Sequence, residues 1–172
     1  MLRELIVDLS SPVIIKGYIK NSQVKDGQEE EDQPLEIHYI LLPRDKLTNS
    51  TFPIWIDESV YVAISLLLEG AATLRPLTHD LFKNTLVDWG IKINKVVITR
   101  IDEDATYFAE IYCQQGEEEK IIDSRPSDAV AMALHFNSPI FIEDELLMQI
   151  LSNENSTKVT DFIEQNRPGL SE

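Results

Sequence analysis

The sequence predicts a single α+β domain with a mixed or antiparallel sheet and three to four helices. Stretches rich in β-branched residues alternate with turn residues, whereas other segments repeat apolar residues with the period of a helix. The length of 172 residues suits one domain with a substantial core. A content of 43% hydrophobic and 26% charged residues is typical of a chain that folds.

The first part of the chain indicates four strands followed by a helix. The strand-like stretches are ELIVDL, PVIIKGYI, LEIHYILL and FPIWI. An acidic loop at 26–33 separates the second stretch from the third and is typical of a solvated turn. The helix begins near Asp57, where Asp57 or Ser59 can cap it, and ends at Gly70, which can adopt the left-handed conformation.

The second part alternates helices and strands. A helix from Thr78 to Trp89 stops at Gly90, and KVVITRI and TYFAEIYCQ then predict a β-hairpin. The stretch KIID predicts another strand, which leads into a helix over Ser127–Phe136. A short strand, PIFI, and a helix from about Glu143 to Leu151 complete the predicted domain.

Composition restricts the partners and the location that the chain suggests. The net charge of −15 argues against broad attraction to nucleic acid, because such affinity comes from cations that neutralise phosphates. Residues 71–100 nevertheless carry +3, the most positive segment. Without a run of about 18 apolar residues or a signal peptide, we expect a cytoplasmic protein that does not bind membranes. The predicted domain covers 1–152, and 153–172 form a polar appendage.

Two Arg-Pro motifs, RPLTHD and DSRPSD, carry the most suggestive polar residues. In each motif an arginine and a proline precede a hydroxyl residue and an aspartate at the start of a predicted helix. In a purely structural interpretation, the hydroxyl residue caps the helix and the aspartate interacts favourably with the positive end of the helix dipole. His135 lies on nearly the same helical face as Asp128, and we expect it to be packed or exposed. The motif residues are Arg75, Thr78, His79 and Asp80, then Asp123, Arg125, Ser127 and Asp128.

The same motifs also suit a site for phosphate and a divalent metal. Helix-start amides and a guanidinium bind phosphate, and a neighbouring His-Asp pair can hold a metal or move a proton. Asp123 and Asp128 flank Arg125, so they can bind Mg²⁺ or Mn²⁺. They can equally form a closed salt-bridge network. The residues alone leave both interpretations open.

Seven short blocks over residues 53–142 resemble the bifunctional nuclease family. In order, they are PIWI, LEG, RPLTHDL, VVIT, YFAEI, DSRPSDAVAMAL and PIFI. The resemblance implies an α+β domain that associates with copies of itself and, for some relatives, nuclease activity on DNA and RNA. It also maps the family's recurring polar positions onto Glu69, Arg75, Thr78, His79, Asp80, Asp123, Arg125, Ser127 and Asp128.

The chain departs from the family pattern just after PIWI. Relatives usually have a glycine there, followed a little later by Glu-Ala, whereas this chain has Asp57, Val60 and Tyr61. If the missing glutamate were catalytic, this chain would be inactive. The departure therefore bears directly on the enzymatic hypothesis.

Two functional hypotheses follow. The first is a nuclease that hydrolyses DNA or RNA with Mg²⁺ or Mn²⁺, in which His79 is the general base and the arginines stabilise phosphate charge. The second is a noncatalytic oligomeric binding or scaffold module, in which the same residues lock helix starts or bridge subunits. Surplus apolar surface around the helix at Val60–Leu68 predicts self-association under either hypothesis. The candidate residues are His79, Asp80, Arg75 and Arg125 for catalysis, Thr78 and Ser127 for substrate binding, and Asp80, Asp123 and Asp128 for metal.

Overall fold

The computed structural model describes residues 1–8, 11–16, 37–102 and 106–152, which contain nine strands and four helices. The predicted α+β class is confirmed. The helices are α1 (Glu58–Leu68), α2 (Thr78–Asp88), α3 (Pro126–Phe136) and α4 (Asp144–Ser152). The strands are β1 (Leu2–Ile6), β2 (Pro12–Lys16), β3 (Ile37–Leu41), β4 (Arg44–Asp45), β5 (Ile54–Ile56), β6 (Ile91–Ile101), β7 (Tyr107–Gln115), β8 (Glu118–Ser124) and β9 (Ile140–Glu143).

The strands form a six-stranded sheet and a three-stranded sheet. The larger sheet has the order β4-β1-β9-β6-β7-β8, and the smaller has the order β2-β3-β5. The pairing of β6 with β9 is parallel, whereas the other strand pairs of both sheets are antiparallel. The larger sheet is therefore mixed, and β6 and β7 form the predicted hairpin.

Helix α3 packs against the larger sheet and carries much of the core. Its residues from Ala129 to Ala133 are each at most 1% exposed. Small side chains let several elements approach, and α3 contacts α1 and α2 as well as β6 and β7. Because α3 is enclosed in this way, residues at its two ends are brought to the neighbouring helices.

The starts of α1 and α2 follow different capping rules. Asp57 caps α1 as predicted, since its Oδ1 accepts a hydrogen bond of 3.0 Å from the amide of Val60. The predicted cap Thr78 is wrong, because Leu77 is the extended N-cap residue and Thr78 is already helical. Asp80 satisfies a backbone group instead, since its Oδ2 accepts a 2.8 Å hydrogen bond from the amide of Leu77.

The predicted cap Ser127 is also wrong. Helix α3 begins at Pro126, and the extended residue before it is Arg125. Proline suits the first helical position because it lacks an amide hydrogen and fixes φ near the helical value. Ser127 is therefore the second helical residue, where it is 6% exposed.

The helix ends follow the sequence closely, whereas β6 begins four residues earlier than predicted and β4 was not predicted. Gly70 and Gly90 end α1 and α2 with φ of 67° and 69°, the left-handed conformation expected of such glycines. The acidic loop at 26–33 and the appendage at 153–172 lie outside the described residues. None of the helices in the described part of the chain is both long and apolar enough to cross a membrane.

An ion pair between Arg3 and Asp45 fastens the amino-terminal strand. Asp45 is fully buried, and its Oδ2 accepts hydrogen bonds from Arg3 at 2.6 Å and from the hydroxyl and amide of Thr48 at 2.5 and 2.8 Å. Burial raises the pKa of Asp45, but these bonds outweigh it and hold the pKa well below its ordinary value. Arg3 also donates to Asp144, so one guanidinium joins β1, β4 and α4.

Replacing Asp45 with Ala is expected to lower the free energy of unfolding by about 3 kcal/mol, because Arg3 and Thr48 lose a buried acceptor. Urea denaturation measures the change. The pKa of Asp45 in the folded protein lies below its unfolded value of about 3.9, so the contribution of Asp45 to stability is present above that pH. It is lost as pH falls through the folded pKa. The exposed Asp88→Ala variant should change stability by less than about 0.5 kcal/mol, and equal losses would contradict the prediction.

Candidate functional site

The two Arg-Pro motifs meet where the first turns of α2 and α3 approach each other. His79 Nε2 lies 3.2 Å from Asp128 Oδ1, although the residues are 49 positions apart. Arg125 donates to both oxygens of the same carboxylate, from Nε at 2.7 Å and from Nη2 at 3.1 Å. The first turns of the two helices that follow the motifs are therefore in direct contact.

The electrostatics of the site keep Asp128 ionised. Burial raises the pKa of this carboxyl, but hydrogen bonds with Arg125 and then His79 outweigh it and lower the pKa. An ionised carboxylate accepts hydrogen bonds, so it favours the His79 tautomer that carries its proton on Nε2. The Nδ1 atom is then the ring nitrogen that can take up a proton.

Arg125 also links the start of α3 to the start of α1. Its Nη1 lies 3.6 Å from Asp57 Oδ2. The Ser59 hydroxyl donates to Asp57 Oδ1 at 2.5 Å, and this bond, followed by that from the Val60 amide, lowers the pKa of Asp57. The Arg125 and Asp57 side chains are 65% and 49% exposed, so solvent weakens their attraction. Asp57 thus has a structural role, since it caps α1 and contacts Arg125.

A second His-Asp pair joins α2 to the far end of α3. His135 Nε2 lies 3.7 Å from Asp80 Oδ1, and the His135 side chain is 6% exposed. Burial lowers the pKa of His135, while Asp80 opposes this shift and His79 and Lys83 add to it. Along α3, His135 follows Asp128 by about 10 Å. The first turn of α2 therefore contacts α3 at both ends.

A cleft of about 270 Å³ opens beside this junction. Helix α1 supplies an apolar wall from Ala63, Leu66 and Leu67, and the loop before α2 adds further small and apolar residues. Among the described residues that line the cleft, none is lysine or arginine. Its polar end consists of His79, Asp80, Asn84 and His135.

Asp123 lies away from the junction of α2 and α3. It is exposed on β8 and is paired with Glu110, whereas the next residue, Ser124, is paired with the buried Ala109. Successive residues of a strand point to opposite faces of the sheet. Because the face with Ala109 belongs to the core beneath α3, Asp123 lies on the opposite face.

The remaining predicted residues surround the junction without contributing to the described hydrogen bonds of Asp128. Arg75 is exposed in the loop before α2, where its carbonyl accepts a 2.8 Å bond from the Thr73 hydroxyl. Thr78 is exposed on the first turn of α2, and Ser127 is buried at the start of α3.

The proposed metal ligands do not form a cluster in the described chain. Mg²⁺ and Mn²⁺ prefer several oxygen ligands together. No group of three or more His, Cys, Asp and Glu side chains among the described residues could hold a metal ion. Both oxygens of Asp128 accept hydrogen bonds, Asp80 faces His135 and Leu77, and Asp123 lies on the far face of the sheet. These residues do not fit a metal centre, and the metal remains a prediction.

Two contacts of the site involve residues that sequence reasoning did not assign to it. Asp57 was identified only as a cap and as a departure from the family pattern, yet it contacts Arg125. His135 was expected to be packed or exposed; it is packed, with a side chain 6% exposed, and it also lies 3.7 Å from Asp80. Its shared face with Asp128 was a signal that this side of α3 is polar, but nothing in the sequence indicated the partner.

Comparisons with known proteins place the chain among bifunctional nuclease domains. The family model described as bifunctional nuclease domain matches residues 40–155. Two uncharacterized proteins of Mycobacterium tuberculosis, from strains CDC 1551 / Oshkosh and ATCC 25618 / H37Rv, are each 31% identical to this chain over 130 residues. The match covers 74% of this chain and 77% of each relative. Both Arg-Pro motifs lie within the matched range, so the resemblance inferred from the sequence blocks is confirmed.

The His135 side chain is expected to make stability depend on pH. Its folded pKa lies below the unfolded value of about 6.5, so its contribution is present above that pH and is lost as pH falls. A His135→Gln variant should therefore lose less stability between pH 7 and 5 than the parent, by up to about 1.4 kcal/mol per pH unit. Urea denaturation at several pH values tests this. The Asn84→Ala control should keep the parent slope, and a parent-like slope in His135→Gln would contradict the prediction.

Proposed function

Because this chain belongs to the bifunctional nuclease domain family, we propose that it is a nuclease that hydrolyses phosphodiester bonds of DNA or RNA where α2 meets α3. The observation that carries the proposal is the arrangement of His79, Asp128 and Arg125 beside a cleft. A histidine oriented by a carboxylate supplies a general base. A neighbouring guanidinium supplies charge for the phosphate.

His79 moves the proton in this mechanism. Its Nε2–H donates to Asp128, so Nδ1 accepts a proton from a water molecule as the water oxygen bonds to phosphorus. The negative charge of Asp128 stabilises the imidazolium that forms. The bond from phosphorus to the leaving oxygen then breaks, and His79 returns the proton to that oxygen.

Arg125 stabilises the negative charge that develops on the phosphate. Its side chain is 65% exposed, so N–H groups beyond those that bind Asp128 are accessible to substrate. Arg75 and Thr78 are exposed in the adjoining motif, and we include them as further phosphate contacts. Ser127 is 6% exposed and is less suited to touch a substrate.

The dependence on Mg²⁺ or Mn²⁺ is a separate proposal. Neither the proton transfer by His79 nor the charge stabilisation by Arg125 requires a metal in the steps above. The sequence-based ligands Asp80, Asp123 and Asp128 form no cluster of three within the described chain. Activity with each ion and with a chelator decides the question.

A noncatalytic binding or scaffold module is the second candidate function. A different observation favours it, namely that the carboxylates are paired within the chain. Arg125 engages both oxygens of Asp128, and Asp80 pairs with His135. Such pairs are sufficient to hold the helices together without any catalytic role. Removal of His79 from a protein that stays folded distinguishes the two functions, because only a nuclease would then lose cleavage activity.

We also propose that the chain self-associates through α2. The sequence placed the surplus apolar surface on the helix at Val60–Leu68 and on the strands around it. There Val60 and Ile64 are buried in the core, whereas Val62 and Trp55 are 40% and 48% exposed. A second group of exposed apolar side chains lies on α2 and just after it, where Leu81, Phe82 and Trp89 are 62%, 43% and 69% exposed. Their spacing puts them on one face of the helix. A second copy of the chain can bury this face.

Replacing His79 with Gln should lower the cleavage rate by about 100-fold or more, the contribution of a well-placed general base. The assay uses single-stranded and duplex DNA and RNA with Mg²⁺, with Mn²⁺ and with a chelator. Asp88→Asn, an exposed change on the same helix, is the matched control and should keep the parent rate. Full activity in a folded His79→Gln variant would remove His79 from the mechanism. If the parent protein cleaves no substrate, the binding module is favoured.

Replacing Phe82 and Trp89 together with Lys should convert the oligomer to a monomer, because two charges then lie on the apolar face. Light scattering coupled to size-exclusion chromatography measures the mass. Leu47→Lys is the control, since Leu47 is 75% exposed in the turn after β4 and lies outside α2. A parent protein that is monomeric at every working concentration would refute the proposal, as would an oligomer that survives the double replacement.

A further inference from the structure

We infer that the cleft between α1 and α2 binds a nucleobase that carries an exocyclic amino group (adenine, cytosine or guanine) beside the proposed cleavage site. The choice of ligand rests on the proposed nuclease function. Four properties of the cleft lead to this ligand: its size, its charge, its polar end and its connection to His79.

The size of the cleft limits the ligand to one base with part of its sugar. Its volume of about 270 Å³ lies just below the roughly 300 to 1,000 Å³ of pockets that bury drug-sized ligands. A dinucleotide does not fit such a space. The rest of a nucleic acid strand must therefore lie outside the cleft.

The charge of the cleft excludes phosphate as its occupant. No lysine or arginine is among the described lining residues, and the carboxylate of Asp80 forms part of the wall. An anion would be repelled there. A neutral, planar ring instead suits the apolar side formed by Ala63, Leu66 and Leu67. The cleft therefore favours the base of a nucleotide over its phosphate.

The polar end of the cleft matches an amino group. Asp80 accepts one hydrogen bond from the Leu77 amide, and a carboxylate with about four lone-pair sites can accept others. Adenine, cytosine and guanine carry an exocyclic amino donor, whereas thymine and uracil carry carbonyl oxygens in its place. The amide of Asn84 both donates and accepts, so it can pair with the neighbouring ring nitrogen. Burial lowers the pKa of His135, which favours the neutral ring.

His79 connects the cleft to the proposed chemistry. The same ring lines the cleft and lies 3.2 Å from Asp128. A nucleotide with its base in the cleft therefore has its sugar and phosphate at the edge that His79 forms. Recognition of the base thus selects which phosphodiester bond lies beside the general base, and cleavage should prefer bonds adjacent to a base that carries an amino group.

Calorimetric titration of the whole protein with adenosine, cytidine and uridine tests the inference without catalysis. Adenosine and cytidine should bind at least about fivefold more tightly than uridine, the lower range for one good base-edge contact. Because nucleosides lack phosphate, binding reports on the base and sugar. Inorganic phosphate should not compete with adenosine. Failure of all three nucleosides to bind, equal affinities, or competition by phosphate would each overturn the inference.

Variants locate the binding in the cleft. Ala72 is exposed and lines the cleft, so Ala72→Phe should fill it and weaken adenosine binding about tenfold or more. Asn84→Ala should weaken binding through loss of a base contact, and it keeps the test decisive if Ala72→Phe does not fold. Asp88→Asn, on α2 but outside the lining, should bind like the parent. Parent-like affinity in a folded Ala72→Phe variant and in Asn84→Ala would overturn the inference.

The inference and the proposed function can fail separately. Adenosine binding by a protein that cleaves no nucleic acid would support the nucleobase site and contradict the nuclease proposal. Cleavage by a protein that binds none of the nucleosides would support the nuclease proposal and overturn the nucleobase site.

Discussion

The first turn of α2 contacts α3 at both ends, through the hydrogen-bonded His79 and Asp128 and through the 3.7 Å approach of Asp80 to His135, and the geometry of the candidate site depends on these contacts. His79 reaches Asp128 in the first turn of α3, while Asp80 reaches His135 in the last. Neighbouring helical residues point about 100° apart, so two successive side chains can reach places about 10 Å apart. A shift of α3 along its axis would lengthen at least one pair. The cleft and the general base are therefore fixed by the same two residues.

The carboxylates of the site are positioned by structural contacts. Asp57 caps α1, Asp80 accepts the amide that precedes α2, and Asp128 is held by Arg125. Hydrogen bonds of this kind lower a carboxyl pKa and fix its direction. A carboxylate fixed in this way can orient a histidine, as Asp128 orients His79. It also leaves few carboxylate oxygens directed toward a common metal ion. A catalytic role and a salt-bridge role consequently use the same contacts.

The sequence predicted the order of the elements well because apolar periods and glycines determine them locally. The caps Thr78 and Ser127 were predicted wrongly because a side chain can cap only from the last nonhelical position. In both motifs the helix begins one or two residues before the start that the predicted cap implies, and Pro126 is itself the first residue of α3. The contact of His79 with Asp128 crosses 49 positions and depends on how α2 lies over α3. A local sequence pattern does not indicate how these two helices pack against each other.

The dependence of His79 on Asp128 is the central claim, and a double-mutant cycle on the cleavage rate tests it most directly. The rate is measured for the parent, for each single variant, His79→Gln and Asp128→Asn, and for the double variant. If Asp128 acts only by orienting His79 and stabilising its imidazolium form, the double variant should be no slower than His79→Gln alone. The effects of residues that act as a unit are strongly non-additive. Losses that multiply in the double variant would show that the two side chains act independently and would contradict the claim.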